Sequence, residues 1–236
     1  MRKFFTIIGG MGTEATESYL HLLNLKTPAR SDQDYLNYVL INHATIPDRT
    51  KYILDHRQPN PLKDLMADVK QQNQFHPEFY AIPCNTAHYF YDQLKRVANA
   101  PILHMPKEAV AEIKHRYPYA KRVGLIATQG TIHDRIYDHW VRRAGYQLVK
   151  PTAEIERQTM HLIYADVKAK DDANPRLYYQ ILSEMVHQLR CDVVILGCTE
   201  LSLVQERCHN HAYSVIDAQA VLVDHSVRLA EQMQKA

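Results

Sequence analysis

The chain has 236 residues, 46% hydrophobic and 23% charged, with a formal net charge of +2; this is the composition of an ordinary globular protein with room for one or two domains. Its Lys and Arg residues are scattered among Asp and Glu with no basic stripe of interleaved aromatics, which excludes nucleic acid as an expected partner. No run approaches the roughly 18 apolar residues of a membrane helix, so no membrane partner is expected either.

In chain order, the first apolar run is Phe4–Ile8. It is too short for the core of a signal peptide and is cut off by Gly9-Gly10, so it reads as a buried first strand. The turn after it, Gly10-Met11-Gly12-Thr13-Glu14-Ala15, fits the dinucleotide pattern GxGxxG/A. That pattern also needs an acidic residue closing the second strand. The second run, Tyr38–Ile41, ends instead in Asn42-His43, and Asp32 and Asp34 fall in the loop before it. The glycines are therefore expected to let the backbone turn tightly over a small ligand or a partner lobe.

Leu62, Leu65, Met66 and Val69 recur at helical spacing. Strand-like runs follow at Phe79–Ile82, Pro101–His104, Val123–Ala127, Tyr146–Val149, Val193–Leu196 and Ser214–Ile216. Ile132, Ile136 and Trp140 predict one helix, and a last helix is expected over residues 218–234. This alternation predicts an α/β protein with mostly parallel sheets and helices on both faces. A coarse repeat is visible, in which strands Phe4–Ile8 and Val123–Ala127 each lead into a glycine-containing or polar turn. Further along, each half has a cysteine at the end of a later strand. Two similar lobes are expected, 1–100 and 101–216, with 217–236 returning to the first. Ligands of such lobes bind beyond the carboxyl ends of the strands, so lobes facing each other there would share a cleft.

Of the four cysteines, Cys191 and Cys208 read as small buried hydrophobes. None is in a CxxC spacing and no export signal precedes them, which predicts reduced thiols and a cytoplasmic protein. Cys84 and Cys198 differ. Each follows a strand, in Pro83-Cys84-Asn85-Thr86-Ala87-His88 and in Gly197-Cys198-Thr199-Glu200-Leu201, and each runs into a helical pattern. A helix start favours the thiolate, and Asn85, Thr86 and Thr199 offer donors suited to a carboxylate. His88, four residues after Cys84, is either a base or a helix-surface residue. Acyl transfer needs one thiol; two symmetry-related thiols suit a proton that leaves one face of a carbon and returns on the other. The 14 histidines include no HExxH and no paired Cys/His spacing, so no metal site is expected. His209 and His211, beside Cys208, would bind a metal only adventitiously.

The segments IIGGMG (7–12), IPDRT (46–50), PCNTAH (83–88), ATQGT (127–131), YADVK (164–168) and GCTE (197–200) carry a resemblance along essentially the whole chain. In these it resembles the aspartate racemases of the aspartate/glutamate racemase superfamily. The resemblance implies two pseudo-symmetric three-layer α/β domains with the active site in the cleft between them, usually in a homodimer. It implies catalysis by Cys84 and Cys198 without pyridoxal phosphate, metal or other cofactor, on a dicarboxylic amino acid. Cys198 would serve L-aspartate and Cys84 D-aspartate. Arg49 and Lys168 match residues that hold the distal carboxylate, and Met11, Asn85, Thr86, Thr128, Thr131, Thr199 and Glu200 complete the binding set. Read without the resemblance, Arg49 is a helix-start surface charge and Lys168 a helix-end charge. Glutamate racemases carry Asp-Ser where this chain has Gly9-Gly10, and His where it has Glu200. The same two-cysteine frame also serves glutamate racemisation, maleate isomerisation and malonate decarboxylation, and a non-catalytic amino-acid-binding protein is a further alternative.

Overall fold

The computed structural model describes residues 3–235, so Met1, Arg2 and Ala236, the ends of the expected first lobe, lie outside the described residues. The chain divides into two compact units, Met1–Met105 with Gln219–Ala236, and Pro106–Ala218.

In the first unit the described residues run β1 (Phe5–Gly9), α1 (Thr13–Lys26), β2 (Tyr38–Asn42), α2 (Arg49–Leu54), α3 (Leu62–Asn73), β3 (Tyr80–Ala81), a 3-10 turn (Thr86–Phe90) and α4 (Tyr91–Val97). The strands pair in parallel in the order β2-β1-β3. Central β1 is buried at all five residues, which is why it reads as an unbroken apolar run rather than an alternating one. Leu65 and Val69 turn one face of α3 into a core with Ile8, Tyr80, Phe90 and Leu94.

The expected strand at Pro101–His104 does not form; Ile102 makes only an isolated parallel bridge to Tyr80. The Tyr80 amide donates to the Pro101 carbonyl at 2.8 Å and the Leu103 amide to the Tyr80 carbonyl at 2.9 Å. Proline has no N–H to extend that ladder, and helix α5 (Met105–Arg116) begins two residues after Leu103.

The second unit continues with β4 (Arg122–Ala127), α6 (Gln129–His133), α7 (Asp138–Arg143), β5 (Gln147–Val149), α8 (Ala153–His161), a π-helical stretch (Leu162–Lys168), α9 (Pro175–Ser183), a second π-helical stretch (Glu184–Gln188), β6 (Val193–Gly197), α10 (Thr199–Cys208) and β7 (Val215–Asp217). Its sheet is parallel in the order β5-β4-β6-β7. Ile126, Leu162, Ile181, Met185, Val194 and Leu201 build its core, and Cys191 is part of that core. Cys208 packs only against its edge, half-buried.

The single helix expected through Ile132, Ile136 and Trp140 is two. Arg135 adopts φ 58°, its amide donates to the Ile132 carbonyl at 3.2 Å, and the Ile136 amide donates to the Thr131 carbonyl at 3.3 Å. These two bonds form a Schellman stop around a left-handed residue. Arginine, not glycine, occupies the position, so no glycine marks the break.

The last helix, α11 (Ala218–Lys235), returns to the first unit. Ser226 shares a 2.6 Å hydrogen bond with the Tyr19 phenol, Gln219 donates to Ser18 at 3.0 Å, and Lys26 pairs with Asp224 at 2.7 Å. Among the described residues no helix is long and apolar enough to cross a membrane.

Both sheets place their first strand between the second and third, β2-β1-β3 and β5-β4-β6. Strand order therefore reverses at β1/β3 and at β4/β6. In parallel α/β sheets that reversal opens a crevice at the carboxyl ends of the strands.

Candidate active site

In the first unit, the turn after β1 is built around Gly10. It has φ +86°, and an added Cβ would lie 2.4 to 2.6 Å from the backbone of His43. Only glycine meets both demands. The close approach is thus to the end of the unit's own second strand, where the sequence suggested a ligand or partner lobe. The Gly10 amide donates to Thr16 Oγ1 at 3.0 Å, and that hydroxyl donates to the Gly12 carbonyl at 2.8 Å.

Met11, buried in this turn, is tied to Arg49. Asp48 caps α2 by accepting from the Lys51 amide at 2.9 Å. Arg49, the next residue, lays its guanidinium inward and donates to the Met11 carbonyl at 2.9 Å and the Pro47 carbonyl at 3.1 Å. It is half-buried, not the free surface charge its position alone suggests.

Cys84 lies three residues beyond β3, and Asn85 and Thr86 open the 3-10 turn; all three are buried. The helix at this cysteine is therefore a short 3-10 turn leading into α4, not the α-helix start expected. His88 is buried too, neither a surface residue nor a base for the thiol. The Met105 amide donates to its Nε2 at 3.1 Å, which leaves the proton on Nδ1, and Nδ1–H donates to the Cys84 carbonyl at 2.9 Å. Burial pushes the imidazole below its ordinary pKa, against the opposing effect of its bond to the Cys84 carbonyl. His88 is a neutral brace on the cysteine loop.

In the second unit, β4 and β6 pair with Ala127 opposite Gly197. The next residues, Thr128 and Cys198, leave the sheet side by side on strands that run about 4.8 Å apart. Thr128 caps α6, its hydroxyl accepting from the Thr131 amide at 3.3 Å. The two threonine hydroxyls are 3.2 Å apart and both are buried.

Cys198 is the N-cap of α10 with extended backbone, φ −148° and ψ 138°. Its thiol donates to Glu200 Oε2 at 2.8 Å, and the Thr199 hydroxyl reaches the same oxygen at 3.4 Å. The other carboxylate oxygen is hydrogen-bonded and ion-paired to Lys168 at the end of the first π-helical stretch. Lys168 also lies 5.7 Å from the centre of the Tyr164 ring. So Lys168 is not an open helix-end charge: it neutralises a buried carboxylate.

These contacts reverse the expected electrostatics at Cys198. Burial is the largest influence and raises the thiol pKa well above the usual value; the Glu200 charge raises it further, with Lys168 only partly opposing. The helix start does not outweigh them. Burial alone would also raise Glu200, but the Lys168 charge and hydrogen bonds from Cys198 and Lys168 outweigh it and hold the carboxyl below its ordinary range.

Each unit also buries or pairs polar side chains beyond the predicted set. Tyr137 is fully buried, and its phenol is pushed well up by burial and then by the Asp217 and Cys198 charges. Asp217 ends β7 and accepts from the Ser202 hydroxyl at 2.6 Å. His43 bonds Asp68 Oδ2 at 2.9 Å through Nδ1. His43 stood at a predicted strand tip, which was a usable signal. Asp217, directly after the predicted strand Ser214–Ile216, stood at a strand tip as well, whereas Tyr137, between Arg135 and Asp138 in a predicted helix, carried none. No group of three potential metal ligands occurs among the described residues.

The sequence pattern of the Asp/Glu/Hydantoin racemase family matches residues 8–226. The chain is 25% identical over 226 residues to the "Broad specificity amino-acid racemase RacX" of Bacillus subtilis, covering 94% of this chain and 95% of that one. The structure of the Picrophilus torridus aspartate racemase superposes with a TM-score of 0.82 at 27% identity, over 97% of this chain and 94% of the other. A glutamate racemase from Francisella tularensis, solved with D-glutamate, superposes with a TM-score of 0.65 at 16% identity, over 99% of this chain and 82% of the other; at that distance the likeness is one of fold.

Proposed function

This chain belongs to the Asp/Glu/hydantoin racemase family, and from that premise we propose that it is an aspartate racemase working by two-base proton transfer between Cys84 and Cys198. The observation that carries the reading is a repeated placement: in each unit a buried cysteine follows the third strand, beside the crevice where strand order reverses. The likeness to the Picrophilus aspartate racemase supports aspartate as the substrate.

In this reading one sulfur, as thiolate, removes the α-proton. Its new S–H bond takes that proton, and the C–H electron pair stays on Cα and spreads into the α-carboxylate. The opposite sulfur, as thiol, delivers its proton to the other face and becomes the thiolate. The two cysteines exchange protonation states at each turnover, so their titration belongs to the pair rather than to either alone. Donors from Asn85, Thr86 and Thr199 hold the α-carboxylate and stabilise the charge moving onto it. Thr128 and Thr131 shape the pocket with Met11, and Arg49 is the fork for the side-chain carboxylate, with Lys168 adding charge.

General acid–base transfer contributes about 10²–10⁴ in rate, so preorganised donors must supply much of the remaining acceleration. The chemistry requires reduced thiols, which suits a cytoplasmic setting, and a homodimer is part of the proposal. A second reading, racemisation of several amino acids, is favoured by the likeness to the broad-specificity racemase.

Chiral chromatography of single amino acids incubated with purified protein and no added cofactor tests both. Conversion of L- and D-aspartate well ahead of glutamate and neutral amino acids is the expected result. Comparable conversion of several supports the broad reading, and conversion of none removes the assignment.

A further inference from the structure

Glu200 is an unusual neighbour for a thiol that has to carry protons. It lies two residues after Cys198 in the first turn of α10, and both side chains are buried. The Cys198 thiol donates to Oε2 at 2.8 Å while Lys168 occupies Oε1. An ionised carboxylate is acceptor-only, so the proton in this contact has to come from sulfur. Two negative groups this close in a dry site do not ionise together. Lys168 and the helix start both favour charge on the carboxylate.

We propose, building on the two-cysteine reading above, that Glu200 is a positioning residue that keeps Cys198 protonated, so that Cys198 enters the reaction as the proton donor. Lys168 holds Glu200 charged, and Glu200 holds the S–H bond in a fixed direction. In the donating step the S–H bond breaks toward Cα, its electron pair stays on sulfur, and Glu200 neither gains nor loses a proton. In the opposite direction Cys198 has to lose its proton beside the carboxylate before it can act as the base. One further ionisable group bears on the same sulfur, Tyr137 from the segment before α7, and Tyr137 in turn faces Asp217, which ends β7 and is bonded to Ser202. Both would add negative charge if ionised, so neither replaces the cation that thiolate formation would need.

The test is the pH profile of Cys198 alkylation by iodoacetamide in the ligand-free full chain, read by peptide mass spectrometry. In the native protein the midpoint should lie above the roughly 8.5 of an ordinary thiol. A native midpoint at or below that value overturns the proposal without any variant. In Glu200→Gln the midpoint should fall, and alkylation at pH 8 should rise about tenfold, the equivalent of one charge-assisted hydrogen bond lost. A variant that merely loosens packing raises the rate at every pH and leaves the midpoint in place, which also overturns the proposal. Alkylation does not depend on turnover. Failure of the racemase reading would appear instead as no conversion of any amino acid, with the alkylation profile unaffected.

Discussion

His88 is bonded through its ring to Cys84: Nδ1–H donates to the cysteine carbonyl at 2.9 Å, and Nε2 receives the Met105 amide at 3.1 Å. A histidine four residues after a candidate nucleophile invites a catalytic-pair interpretation. Both ring nitrogens are instead occupied by backbone, and the side chain holds the loop after β3 against the start of α5. His88→Ala should leave two buried backbone groups without partners, at about 1–3 kcal/mol each. Urea unfolding should show a loss of about 3 kcal/mol, and a loss under 1 kcal/mol would contradict the bracing role.

The same residue gives a pH signature. Burial depresses the folded-state pKa of His88, so in mildly acidic solution the unfolded chain binds a proton that the native chain does not. Its contribution to stability is complete above the unfolded value of about 6.5 and is lost as pH falls toward the lower folded value. Stability measured between about pH 7 and 5 should therefore fall more steeply in the native protein than in His88→Gln. Parallel slopes would exclude His88 as the source.

Gly10 is fixed by geometry rather than by chemistry. Its φ of +86° and the His43 backbone 2.4 Å from an added Cβ leave no room for a side chain. Gly10→Ala should cost about 3 kcal/mol or more by combined strain and clash, and should also loosen the Met11 carbonyl that Arg49 holds. An unchanged denaturation midpoint would show that the turn relaxes freely.

Arg135 offers the converse. It occupies the left-handed stop between α6 and α7 with φ 58°, where glycine carries no Cβ penalty. Arg135→Gly should stabilise the chain by up to about 1 kcal/mol, visible as a raised Tm. A fall in Tm would mean that the arginine side chain contributes more than its backbone strain removes.

Much of the fold was legible because parallel strands buried on both faces write themselves as short apolar runs. Phe5–Gly9, Arg122–Ala127 and Val193–Gly197 are such strands, and the position of Cys198 beyond a strand end follows from the last of them, as that of Cys84 does from the short buried β3. The departures have specific causes. Pro101–His104 looks like a strand by composition, but proline and the immediate start of α5 limit it to one bridge. The break at Arg135 lacks its glycine marker. The contacts of Cys198 depend on Lys168, 32 residues from Glu200, and no local pattern encodes a pairing across that span. The expectation of a thiolate-favouring helix start considered the dipole alone; burial and the neighbouring carboxylate are tertiary facts and are larger.

Arg49 bears on the substrate proposal directly. Its guanidinium already lies against Met11, so it is oriented before any ligand arrives, which lowers the ordering cost of binding. Arg49→Lys keeps the charge and loses the fork. Its KM for aspartate should rise about tenfold or more while neutral amino acids are unaffected. Unchanged aspartate kinetics would remove Arg49 from the distal-carboxylate role.

The two-thiol account is tested most directly by proton NMR of L- and D-aspartate incubated with the protein in D₂O. It predicts loss of the Cα–H signal from both enantiomers as deuterium enters from solvent, with full racemisation abolished in Cys84→Ser and in Cys198→Ser. Retention of the Cα–H signal in both enantiomers, or undiminished racemisation in either serine variant, would contradict it.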